Sequence, residues 1–190
     1  AEARADRVAA LAGRMRHTLD RMEKVFQEFL ALARPGETAP ERLDLGACAK
    51  ECVAMLAPRL EASGVAHEIR MAADAVPILA SGASVKRALL HVLLNAVQHA
   101  GAAGRVVVDV SRAGPLARLD VTDTGPGIPK ADRERAFERV YTTRPQGTGL
   151  GLFLARTAIE KNGGTLAVVD SDGPGARLRM EFPLADKEPS

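Results

Sequence analysis

Four polar side chains, His91, Asn95, Gln98 and His99, fall within a mostly aliphatic stretch over 84–100. At about 100° per residue, their spacing of i, i+4, i+7 and i+8 puts them on one stripe of a helix. An apolar helix with a single polar seam lines a site. Asparagine is a weak helix former and is costly to bury unpaired, so Asn95 calls for a bonded partner. Its carboxamide oxygen is a hard ligand, suited to Mg²⁺, an ion held jointly by protein oxygens, phosphate and water. The competing reading of Asn95 is a polar core group satisfied within the fold.

A second constellation is Asp123-Thr124-Gly125-Pro126-Gly127-Ile128, directly after a strand-like run over 116–122. It sets a carboxylate beside a backbone loop able to approach a flat ligand. An ionised carboxylate only accepts hydrogen bonds, so its natural partner is an N–H group such as an exocyclic amine. A chain reversal through Pro126 and Gly127, with Asp123 bonding its own turn, is the alternative. The third is Gly147-Thr148-Gly149-Leu150-Gly151-Leu152, which opens a helix. Glycines at a helix start leave main-chain N–H groups free to surround an anion, and the helix dipole adds to the attraction. It lacks the Gly-Lys-Ser/Thr ending of a P-loop, and no strand precedes it as a dinucleotide fingerprint requires.

The elements that must hold these groups follow from the apolar periodicity. Over 1–33 the residues Val8, Leu11, Met15, Met22, Val25, Phe29 and Leu32 form a heptad seam, with Thr18 in one slot and Leu19, Phe26 and Leu30 widening the stripe. This predicts a long helix packed in a four-helix bundle, through a partner helix from another subunit or segment. Arg34-Pro35-Gly36 ends it, leaving 35–42 as a linker. Beyond, the pattern predicts helices over 46–62, 84–100 and from Gly149 to Lys161. Strands are expected over 65–71, 105–111, 116–122, 165–170 and 177–182, with a short apolar run at 76–80. The expectation is an α+β domain with helices layered on a mixed sheet.

Composition narrows the function classes. Of 190 residues, 26 are Lys or Arg and 24 Asp or Glu, a net charge of +2 that favours neither a polyanionic nor a polycationic partner. Five Phe, one Tyr and no Trp cannot build a stacking surface for nucleic acid, so none is expected. No apolar run approaches the roughly 20 residues of a membrane span, so this segment is expected to be soluble, cytoplasmic and without membrane contact. The parent protein is allowed an anchor elsewhere. Cys48 and Cys52, alone and four apart on an expected helix, read as reduced core thiols.

In this order and spacing, the three constellations resemble the nucleotide-binding boxes of the GHKL superfamily, in detail the catalytic domain of sensor histidine kinases. Leu93-Leu94-Asn95-Ala96 resembles the N box and Asp123 to Ile128 the first glycine box. Phe137-Glu-Arg-Val-Tyr-Thr-Thr-Arg144 is similar to the F box and lid, and Gly147 to Leu152 to the second glycine box. Asn162-Gly163-Gly164 and Gly173-Pro-Gly175 through Phe182-Pro183 are similar to the closing hairpin. The resemblance implies a two-layer α/β sandwich of the Bergerat ATP-binding type over 43–185. Residues 1–34 would be the second helix of a dimerisation hairpin, which makes the intact protein a homodimer.

The resemblance also implies roles. Asn95 would bind Mg²⁺ bridging the ATP phosphates, Asp123 would accept from the adenine amine, and Gly125, Gly127 and Ile128 would shape its pocket. Gln98 and His99 continue the Asn95 stripe, while Tyr141, Thr142, Thr143 and Arg144 belong to the lid, with Arg144 as the γ-phosphate clamp. The backbone of Gly147, Thr148, Gly149, Leu150, Gly151 and Leu152 would hold the phosphates. Three departures from the family pattern stand out. His91 replaces the usual Asn or Glu, though a neutral imidazole is still able to act as a base. Gln98 stands where many kinases carry Lys. The third is the absence of the family's acceptor box: His17 precedes Thr18 and falls on the second-helix segment, and His67 lies in an expected strand. Phosphoryl transfer to a histidine outside this chain, with relay to a response-regulator receiver domain, is therefore the expected activity. Self-phosphorylation is not expected. A protein-serine kinase of the anti-sigma type and a silent nucleotide-binding docking module remain alternatives.

Overall fold

The computed structural model describes residues 39–142 and 148–185, with Met15 as a single helical position. The rest of the expected N-terminal helix with His17, the linker positions 35–38, and Thr143, Arg144 and Gly147 lie outside the described residues.

The first strand, β1 (Glu41–Asp44), begins inside the stretch expected as a linker. Its four residues carry no alternation long enough to announce a strand, and they are held by pairing antiparallel to β3 (Pro77–Ala80). Asp44 then caps α1 (Leu45–Ala62): one carboxylate oxygen accepts from Ala47 N at 2.8 Å and the other from Val76 N at 3.0 Å. That single residue joins the helix start to the segment entering β3. After β2 (Ala66–Met71) and β3, Ser81 caps α2 (Gly82–Ala100). Strands β4 (Arg105–Ala113) and β5 (Leu116–Asp123) follow, then one-turn 3₁₀ helices at Lys130–Asp132 and Arg135–Phe137. The chain closes with α3 (Gly151–Lys161), β6 (Thr165–Val169) and β7 (Arg177–Pro183).

Five strands form one sheet in the order β2-β4-β5-β7-β6, with β2 parallel to β4 and every other pair antiparallel. This is the expected mixed sheet. Strict alternation divides its faces: Val106, Val108 and Val110 of β4, Leu119 and Val121 of β5, and Leu178, Met180 and Phe182 of β7 are buried. They meet Val85, Leu89, Val92, Leu93 and Ala96 of α2 in one aliphatic core that also takes the free thiols of Cys48 and Cys52. The opposite face carries charge. There Arg179 forks onto Asp120 through Nε and Nη2 at 2.8 and 2.7 Å, and Arg118 meets Glu181 at 2.8 Å, each pair directly opposed in the β5–β7 register. Among the described residues, no helix is long and apolar enough to cross a membrane.

Candidate functional site

The polar seam of α2 opens on a cavity of about 230 Å³. His91, Asn95, Gln98 and His99 all line it, as the helical spacing requires, while Val92, Leu93, Ala96 and Val97 of the same helix are turned into the core. His99 Nδ1 lies 2.9 Å from the Asn95 carbonyl, which fixes the ring along the helix. A Cβ on Gly151 would stand 3.6 Å from His91 Nδ1, so the first residue of α3 faces the imidazole with no side chain between.

Asp123 ends β5 at the cavity and is 1% exposed. Its Oδ1 accepts from Gly125 N at 2.8 Å and from Ala176 N at 3.4 Å. Oδ2, equally buried, has no hydrogen-bond partner. Burial raises the Asp123 pKa above the ordinary aspartate value; the two N–H donors and the His99 charge oppose the shift without cancelling it. A buried acceptor with one empty oxygen suits a neutral N–H donor on a ligand, and ordinary protein structure leaves few such atoms unpaired. The competing reading of Asp123 as a self-bonded turn is half right: Oδ1 does bond Gly125 two residues on, and Oδ2 does not.

The loop 124–129 supplies Gly127 and Ile128 to the wall. Gly127 has φ +77, and a Cβ there would lie 2.9 Å from the Gly175 carbonyl oxygen, so only glycine fits. Gly125 does not itself line the cavity; its contribution is the N–H that holds Asp123.

Tyr141, Thr142, Thr148, Gly149, Gly151 and Leu152 close the remaining wall. The α3 N-terminus has no side-chain cap, and its first turn holds no acidic residue. Its leading N–H groups are thus available to an anion. Leu150 is the cap position and does not line the cavity; its N–H lies 3.4 Å from Thr148 Oγ1. Arginines brace the segment before it: Arg156 of α3 lies 4.9 Å above the Phe137 ring and pairs with Glu134 at 2.8 Å, and Arg139 lies 4.8 Å above Phe153.

The structure adds wall residues that the sequence reading did not select: Leu94, Pro126, Pro129, Asp132, Ala136 and Ala176. Pro126 sits inside a glycine box and was within reach. Asp132 and Ala136 lie on the 3₁₀ turns, and Ala176 comes from the turn just before β7, 53 residues along the chain from Asp123, so periodicity carries no signal for them.

The sequence matches the family described as histidine kinase-, DNA gyrase B-, and HSP90-like ATPase over residues 81–186. The chain belongs to this family. Among curated relatives of this ATPase-family domain, the sensor histidine kinase ZraS of Escherichia coli O157:H7 is 32% identical over 176 residues, covering 92% of the chain and 38% of ZraS. The sensor protein IrlS of Burkholderia pseudomallei is 31% identical over 173 residues, covering 86% and 37%. The chain thus spans well under half of the length of these relatives. Among solved structures, full-length ShkA in complex with AMPPNP superposes with a TM-score of 0.76 at 27% identity, covering 90% of this chain and 37% of ShkA. The mycobacterial sensor histidine kinase MprB gives 0.69 at 28%, covering 77% of this chain and 98% of that one. The α+β sandwich and the nucleotide-binding character of the domain follow from these matches.

Proposed function

We propose that this domain is the ATP-binding catalytic region of a sensor histidine kinase. In the intact dimer it transfers the γ-phosphoryl group to a histidine for relay to a response-regulator receiver domain. The observation that carries the reading is Asp123 Oδ2, buried at the cavity without a donor. An adenine amine supplies that donor, with Gly127 and Ile128 against the ring. Among the described residues no group of three or more His, Cys, Asp or Glu gathers that is able to hold a metal. The donor set fits Mg²⁺ nonetheless, since the Asn95 carboxamide together with nucleotide phosphates is what this ion accepts. When bound, Mg²⁺ neutralises phosphate charge.

The chain's own groups then position the reaction. Main-chain N–H groups at the start of α3 take phosphate oxygens, aided by Thr148 and by Gln98 and His99 on the α2 stripe. Tyr141, Thr142, Thr143 and Arg144 cover the nucleotide, Arg144 as the γ-phosphate clamp, and His91 serves as a proton acceptor near the transfer site. In phosphoryl transfer, positioning and charge stabilisation are most of the catalysis. The sensor histidine kinase ZraS and the sensor protein IrlS support the reading through their similarity over most of this chain.

Calorimetric titration with ATP and ADP, with and without Mg²⁺, followed by incubation with γ-labelled ATP, tests it. Metal-dependent binding supports the reading. Acid-labile label on this chain would point to His17 as an acceptor, acid-stable label to serine kinase chemistry. Absence of binding would overturn the reading and move it to a pseudokinase that docks a regulator without nucleotide.

A further inference from the structure

We infer that Gly175, in the turn between β6 and β7, is a positioning residue that aims the Asp123 carboxylate at the ligand. The inference rests on the reading of Asp123 as the acceptor of an adenine amine. Gly175 has φ +96, and a Cβ built on it would lie 1.7 Å from the Asp123 carbonyl oxygen and 3.1 Å from Oδ1. No side chain fits between the two backbones. The following residue brackets Asp123 twice: Asp123 N–H donates to the Ala176 carbonyl at 3.0 Å, and Ala176 N–H donates to Oδ1 at 3.4 Å. With Gly125 N on the same oxygen at 2.8 Å, main chain from both sides occupies Oδ1. The carboxylate is thereby clamped in the rotamer that leaves Oδ2 as the empty acceptor.

The same glycine reaches the other arm of the pocket, because the Gly175 carbonyl oxygen is the atom that a Cβ on Gly127 would strike at 2.9 Å. Gly175 therefore sets the spacing of Asp123 and of the 124–129 loop from a hairpin turn 53 residues away at Ala176. Hydrogen bonds weaken steeply with misalignment, so a shifted clamp changes recognition of the amine before it changes anything else in the cavity. Gly173 supplies an internal comparison. It lies in the same turn, and a Cβ there has nothing within 4 Å.

The test measures Kd of the whole chain for ATP and for purine riboside triphosphate, which lacks the exocyclic amine, with Mg²⁺ present. Wild type and Gly173→Ala should both prefer ATP by about tenfold or more. Gly175→Ala should lose about tenfold in ATP affinity while the amine-free analogue stays within about twofold, so the preference collapses. Equal loss for both nucleotides, or no loss for either, overturns the clamp. A wild type without preference overturns the amine reading of Asp123 itself, and the clamp falls with it. Should Gly175→Ala fail to fold, proton NMR of the wild type decides: the Ala176 and Gly125 amide shifts should titrate together with the Asp123 carboxyl. An Ala176 amide that does not respond overturns the proposal.

Discussion

Val140 donates its N–H to the Gly149 carbonyl at 3.1 Å while both residues sit in the left-handed region, at φ +64 and +67. The bond joins the two sides of the segment that precedes α3. For a β-branched residue this conformation is strained, and Val140 is 69% exposed, so no burial compensates. Val140→Gly should therefore stabilise the domain by about 1 kcal/mol after the entropy of glycine is subtracted, read as a higher denaturant midpoint. Gly149→Ala should do the opposite and weaken nucleotide binding, because its Cβ would lie 2.4 Å from the Val140 carbonyl carbon.

Asp123→Asn should separate binding from stability. Burial raises the Asp123 pKa, so the protonated form favours the fold. That contribution is complete below the unfolded aspartate value and is lost as pH rises through the folded one. At neutral pH the neutral asparagine removes that penalty, and the melting temperature of the ligand-free domain should not fall. ATP affinity should drop by about tenfold or more, since an amide N–H now faces the adenine amine. An unchanged ATP affinity would remove Asp123 from the adenine contact.

The pH dependence of binding follows from the same shift. Only the ionised carboxylate presents two acceptors, so bound adenine favours ionisation and nucleotide binding releases a proton. Affinity should rise as pH passes upward through the raised Asp123 pKa and then level off. The nucleotide's own phosphate titration is common to wild type and Asp123→Asn, so the difference between their profiles isolates Asp123.

Asn95→Ala should weaken ATP binding by about tenfold when Mg²⁺ is present and hardly at all in excess chelator. Equal loss under both conditions would assign Asn95 to packing. Its neighbours Val92 and Ala96 are fully buried, so circular dichroism must confirm the helix in the variant.

On the outer sheet face, Asp120→Ala should destabilise the domain by about 2 kcal/mol. It leaves the Arg179 guanidinium, whose side chain is 24% exposed, without its carboxylate. The loss should persist at high salt, because a pair this sheltered is weakly screened. A midpoint unchanged from wild type would show that water replaces the carboxylate.

Much of this molecule was legible in the chain. The period of 3.6 gave α2 and its polar seam, and the seam does line the cavity. The apolar runs over 105–111 and 116–122 announced β4 and β5. Glycine clusters marked the loops, because few other residues take positive φ without strain. Such signals are local, set by backbone sterics and by which face of one element meets water. β1 escaped notice for the same reason: four residues carry no period, and only the partner β3 makes them a strand.

What the tertiary structure alone decided is which oxygen of Asp123 stays empty. The sequence placed a carboxylate at a strand end and two glycines after it, enough to suggest an acceptor for an N–H group. Ala176, whose N–H bonds Oδ1 while Oδ2 stays without a donor, immediately precedes β7, the strand beside β5 in the sheet. Strand order, and with it every such contact, is a property of long-range packing, which no window of the sequence contains.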